Sequence, residues 1–193
     1  MFEKIKKVLT FKLEVFIEVK KDEGFSRNAW LIIIATSLLS ALGSNTSLLR
    51  TGHPLQWFLG VLASSIISAL GFALACHVIA WVGRYFFNTK VNFEEVLRPL
   101  GLARVWLAFT CIGILTAFSP VFACLSGPIG LGAVILTFLS WLLATKASLE
   151  LEWPQTIAAL IIGMIVMIGI SIIFNLILAT FGLVSTSLMG IFR

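Results

Sequence analysis

Five stretches of the sequence run for 17 to 28 residues almost without charge, at 29–49, 57–82, 102–118, 129–145 and 157–184. The one exception inside them is Arg104, near the start of its stretch. A hydrocarbon core about 30 Å thick needs about 20 apolar residues per crossing helix. Lipid offers the backbone no hydrogen-bond partners, so each crossing must satisfy its own amides. The runs are continuous rather than alternating, which argues against a β-barrel. With 59% hydrophobic and 12% charged residues, little chain remains for a soluble domain. The expected fold is all-α: a polytopic membrane bundle of five transmembrane helices at 29–193, preceded by an amphipathic interfacial helix within 1–28.

Charge placement sets the expected orientation, because Lys and Arg resist translocation. Lys4, Lys6, Lys7, Lys12, Lys20, Lys21 and Arg27 precede the first span, Arg84, Lys90, Arg98 and Arg104 lie between the second and third, and Lys146 follows the fourth. Five crossings put all twelve on one side and leave only Arg50 and Arg193 on the other. The N-terminus is expected in the cytoplasm and the C-terminus outside. Trp30, Trp81, Trp106 and Trp153 then fall at cytoplasmic ends, Trp57 at an outer end and Trp141 deeper, as indoles favour the interface. The net charge of +5 reads as topology and contact with anionic headgroups, not as a nucleic-acid surface. The 27-residue charged lead, with five acids, is unlike a cleaved signal peptide.

Polar chemistry concentrates in two stretches. In the lead, Phe2, Ile5, Leu9, Leu13 and Phe16 share one helical face, opposite Glu3, Lys4, Lys7, Glu14, Glu18 and Lys21. Such a helix is expected to lie in the membrane interface, with a partner-docking role as the alternative. Between spans two and three, Asn92 and Glu95 have N-cap and N3 spacing, and Pro99 is expected to bend or end the short helix they open. Glu94, Glu95, Arg98 and Arg104 are the candidate contacts for a partner or for lipid.

Within the spans no charge is expected near mid-membrane, where a proton relay or transport path would place one. His77 reads as a neutral, hydrogen-bonded histidine. Ser64, Ser68, Gly71 and Ala75 form a small or polar stripe on span two, and Ser171, Asn175, Ala179 and Gly182 form one on span five. Both read as helix-packing seams, within one chain or in a homo-oligomer. Span five, at 28 residues, is expected to tilt or to break near Gly182. Cys76, Cys111 and Cys124 suggest neither a disulfide framework nor a metal site, and no cofactor motif or catalytic constellation is evident, so an enzyme is not expected.

Three stretches resemble the Yip family of Ypt/Rab-interacting, five-span integral membrane proteins. They are "VLTFKLEVFIEVKKDEGFSRNAWLIIIATSLLSAL" before and into span one, "FFNTKVNFEEVLRPLGLARVWLAF" between spans two and three, and "WLLATKASLELEWPQTIAALIIGMIVM" from span four into span five. The pattern departs from the family at Gly101-Leu102, where members carry Gly-Tyr followed by proline; here the proline is the earlier Pro99. The long N-terminal region of eukaryotic members has no counterpart. The resemblance therefore implies a prokaryotic-type member, located in the inner membrane, with no assigned biochemical activity. The resulting expectation is a non-enzymatic scaffold or adaptor that recruits a membrane or cytoplasmic protein through its cytoplasmic face. The alternative is a small oligomeric transporter or channel.

Overall fold

The computed structural model describes residues 2–8, 10–46, 49 and 52–180. Among them there are helices and no strand: α1 (Phe2–Val8), α2 (Leu13–Lys21), α3 (Ser26–Ser44), α4 (Pro54–Phe87), α5 (Phe93–Ala103), α6 (Ala123–Leu149) and α7 (Trp153–Thr180). A long 3₁₀ segment, Arg104–Ala117, continues α5. Short 3₁₀ turns precede α3 and α6.

Among the described residues five helical units are long and apolar enough to cross a membrane: Glu23–Ser44, Pro54–Phe87, Phe93–Ala117, Ala123–Leu149 and Trp153–Ile177. The chain is thus an all-α, multi-pass membrane protein. The third unit differs most from the sequence expectation, because it begins at Phe93 rather than near Leu102. Asn92 occupies the N-cap position of α5 but makes no side-chain cap hydrogen bond, and Pro99 lies inside α5 without ending it. The non-helical connection shrinks to 88–92. Arg104 consequently sits near the middle of the third helical unit rather than near its start, against the expectation of no charge near mid-membrane.

The N-terminal lead also differs. It is two helices, separated at Phe11, whose φ of 52° is left-handed and whose ring stacks on Trp106 at 5.4 Å. Val8, Val15, Phe16 and Val19 are buried in the main core. Of the apolar face assigned to lipid, Phe16 is thus buried and Ile5 and Leu13 pack against the core, where α2 meets α5 and α6; Leu9 lies outside the described residues. Trp106, expected at an interface, lies instead near the middle of its span.

Glycines set how closely the spans approach. A Cβ at Gly113 would lie 2.5 Å from the Gly43 carbonyl oxygen, and one at Gly43 would collide with the Thr110 carbonyl. Here α3 and the 3₁₀ segment touch backbone to backbone, the close approach small residues permit in membranes. A 3₁₀ helix has three residues per turn, so Arg104, Leu107, Thr110, Gly113 and Thr116 stack in one column. Thr116 Oγ1 meets Thr46 Oγ1 at 3.1 Å across the same seam. Runs beyond three or four residues are uncommon for this winding. The Thr110 and Thr116 hydroxyls match it by donating to carbonyls three residues back, at 2.6 and 2.7 Å. On the other side of α4, a Cβ at Gly71 would lie 3.6 Å from Ile170 Cγ2, and one at Gly163 would lie 2.5 Å from Ile79 Cγ1. Helix α7 is unbroken from Trp153 to Thr180; Gly182, where a break was expected, lies outside the described residues.

Candidate functional site, a polar cavity backed by Arg104

Serines and asparagines from three helices face one another between α3, α4 and α7. Ser37, Ser40, Ala41, Ser44 and Asn45 on or capping α3, Ser64 and Ser68 on α4, and Asn175 on α7 line a cavity of about 290 Å³. Their spacing explains the shared wall: 37, 40, 41 and 44, like 64 and 68, repeat at the three- and four-residue intervals that keep side chains on one helical face. Asn45 caps α3 by returning Nδ2 to the Ala41 carbonyl at 2.9 Å, and the same nitrogen reaches Ser64 Oγ at 3.4 Å. Ser65 stands behind this wall and donates to Val61 O at 2.7 Å.

Arg104 stands behind Ser68 of this wall. It is 3% exposed, and Nη2 donates to Ser68 Oγ at 2.7 Å while Nη1 reaches Ser68 O at 3.4 Å. Its guanidinium carbon lies 4.6 Å from the centre of the Phe72 ring, a cation–π contact that supports the charge without neutralising it. Among the described residues no carboxylate lies within salt-bridge distance of Arg104, and its Nε has no hydrogen-bond partner. Ser37 Oγ, enclosed within the α3 wall, is likewise buried and without a partner among the described residues. An ionised side chain inside a crossing costs about 2.5–3.5 kcal/mol on insertion scales, and such residues face bundle interiors or polar cavities. Arg104 does so here.

The other expected contact residues lie elsewhere. Arg98 is 7% exposed, and it donates from Nε to Ser26 Oγ at 2.7 Å and from Nη1 to the Lys20 carbonyl at 2.9 Å. Neither arginine is turned outward to partners or headgroups as the sequence implied. Glu94 and Glu95 are half-buried in the first turn of α5. Of the two stripes, Gly71 and Ala75 face α7, whereas Ser64 and Ser68 face the cavity. Ser171 donates to Met167 O and Asn175 to Ser171 O, both within α7. His77 is exposed, with its ring 6.0 Å from that of Phe93.

At the basic end two lysines are paired. Lys4 meets Asp22 at 2.6 Å and Glu18 at 3.6 Å, and Lys20 meets Glu150 at 2.7 Å. The Lys4 hydrogen bond holds the Asp22 carboxyl below its ordinary range, and the Lys20 hydrogen bond does the same for Glu150.

Sequence reasoning placed Ser64, Ser68 and Asn175 on stripes but did not bring them to Arg104. The available signal was Arg104 itself, eleven residues beyond Phe93 in a stretch whose apolar character had already begun there. Compared with known proteins, the chain matches no protein-family model, no curated protein and no solved structure. The fold and cavity therefore define its class: a five-span integral membrane protein with an uncompensated cation beside a polar intramembrane cavity.

Proposed function

We propose that this protein handles a small polar solute in the membrane, as a transporter or channel rather than an enzyme. One observation carries the reading: Arg104 is held inside a span, beside a hydroxyl-lined cavity, with no carboxylate among the described residues to neutralise it. With the basic end in the cytoplasm, as the positive-inside rule directs, the cavity runs inward from Ser44 and Asn45, at the outer end of α3, to Ser68. One chain offers a cavity and not a continuous pore, so conduction would require a change of access or assembly of several copies.

Proteoliposomes test this directly. Vesicles carrying the protein are expected to pass at least one of a panel of halide, nitrate, acetate, potassium and glycerol. Arg104→Gln is expected to reduce that rate at least tenfold while the helical circular dichroism stays unchanged. Vesicles that contain folded protein and pass none of the panel would end the transport reading.

A scaffold that recruits a cytoplasmic or membrane protein is the second reading, favoured by the exposed charged side of α2, where Glu14, Glu18 and Lys21 remain free of the core. The loop once expected to serve it is largely interior, so α1 and α2 carry that role alone. Glu14→Lys with Glu18→Lys should abolish capture of any specific partner from native membranes. Membership of the Yip family rests on the three sequence stretches quoted above and stands as a proposal with this reading.

A further inference from the structure

We infer that the cavity between α3, α4 and α7 binds a small monovalent inorganic anion of the halide or nitrate class, held by serine hydroxyls that Arg104 orients and polarises. The inference deepens the transport reading and rests on it for the ion's route, though not for its binding.

The donors come first. A serine hydroxyl carries one hydrogen and two lone pairs. Ser68 Oγ accepts from Arg104 Nη2 at 2.7 Å, and Ser64 Oγ accepts from Asn45 Nδ2 at 3.4 Å. Among the described residues neither hydroxyl donates, so both hydrogens are uncommitted. Ser37 Oγ, in a residue 1% exposed, has no partner among the described residues and is closed off from the cavity. Among the described residues the Ser64 and Ser68 hydrogens are thus free on the α4 wall of the cavity, while Ser37 Oγ is enclosed within the α3 wall. A hydroxyl that accepts from a guanidinium becomes a stronger donor through its own hydrogen, because linked hydrogen bonds polarise one another.

Charge and shape choose the ligand. Among the described residues the cation bonded to the cavity wall is Arg104, and an arginine cannot be deprotonated in proteins. One anion neutralises it, a dianion would leave an excess negative charge in a poorly solvated place, and a cation would be repelled. A volume of about 290 Å³ equals roughly ten waters at about 30 Å³ each, enough for an ion that keeps part of its hydration. Among the described wall residues Ala41 alone has an apolar side chain, so a ligand with a large hydrocarbon body would find little to match it.

Purified protein in nanodiscs, held at constant ionic strength in sodium gluconate, is titrated with sodium chloride, bromide or nitrate while the unfolding temperature is recorded. A saturable, single-site rise is expected with at least one of these anions and not with potassium or sulfate. Ser64→Ala and Ser68→Ala should each raise the apparent Kd about tenfold, as expected for loss of a hydrogen bond to a charged ligand. Arg104→Gln should remove the saturable response. If Arg104→Gln does not fold, the two serine variants, which retain the charge, decide the matter. No saturable response to any of the three anions, or a response unchanged in both serine variants, would overturn the inference. Saturable binding without flux would retain the site and remove the transport reading; flux of a neutral solute without an anion response would do the reverse.

Discussion

Arg98 and Arg104 lie six residues apart on one continuous span, both are buried, and they occupy opposite kinds of surroundings. Arg98 sits at the basic end, tied to the Lys20 carbonyl and the Ser26 hydroxyl, with the Asp22 carboxylate close enough to feel its charge. Arg104 sits deeper, among hydroxyls and an aromatic ring, with no acid at hand among the described residues. Burial alone does not distinguish a structural cation from a functional one. The distinction lies in what compensates the charge: Arg98 joins α2, α3 and α5 and has its counter-groups, whereas Arg104 leaves a compensation that something outside the chain can supply.

The most damaging change removes the seam that places Arg104. Gly113→Leu forces a side chain into the Gly43 backbone, and its cost should be at least about 3 kcal/mol, beyond ordinary overpacking because backbone cannot give way. Little monodisperse protein is expected in detergent, measured by size-exclusion chromatography. A well-behaved Gly113→Leu variant would mean that this seam does not hold α3 against the 3₁₀ segment.

The two arginines should then separate by sign. Arg98→Ala leaves the Lys20 carbonyl and Ser26 hydroxyl without their donor and should lower stability by about 2–3 kcal/mol. Arg104→Met replaces an unneutralised buried cation with apolar volume and should be neutral or stabilising by about 1 kcal/mol, since buried charges are often replaced by packing without loss. Unfolding followed by circular dichroism in graded denaturing detergent measures both. Equal losses at the two positions would erase the contrast drawn between them.

The smallest effect concerns the latch between α2 and the turn after α6. Glu150 has its folded pKa lowered from the usual value near 4.5, first by the Lys20 hydrogen bond. Its contribution is therefore fully present above that value and is lost as the pH falls through the lowered one. With the Glu150 side chain 70% exposed, screening limits this to under about 1 kcal/mol. Amide exchange in α1 and α2 should quicken below about pH 4.5, and Glu150→Gln should reproduce the effect at neutral pH, while α3 exchange is unchanged. Equal quickening in α3 would show that the latch supports the whole bundle.

How much of this could be read in advance follows from what periodicity and charge can report. Uncharged length located all five crossings, because the demand it reflects is set by lipid and not by tertiary contacts. It failed at Phe93, where Glu94, Glu95 and Arg98 gave the start of a span the look of a loop. Those side chains are tolerated because Arg98 finds hydrogen-bond partners supplied by the N-terminal lead and α3. The lead misled for a related reason: a one-sided apolar pattern says that a face is covered, not by what, and here Val15, Phe16 and Val19 are covered by protein. Ser64 and Ser68 were visible as a stripe, but a stripe of hydroxyls reads alike as seam or cavity wall. Only the placement of Ser37 opposite and Arg104 behind decides between them.

The 3₁₀ segment carries a consequence for how this gene can vary. Its column of Arg104, Thr110, Gly113 and Thr116 depends on a three-residue period, so one inserted residue turns everything beyond it by about 120°. An insertion between residues 104 and 113 would keep the hydrophobicity and the span, yet point the guanidinium away from Ser68 or the glycine away from Gly43. Insertions or deletions of three residues would preserve the facing and shift the rise by about 6 Å. Length in this stretch should therefore be inherited in triplets, a reading frame imposed by helix geometry on top of the one imposed by codons.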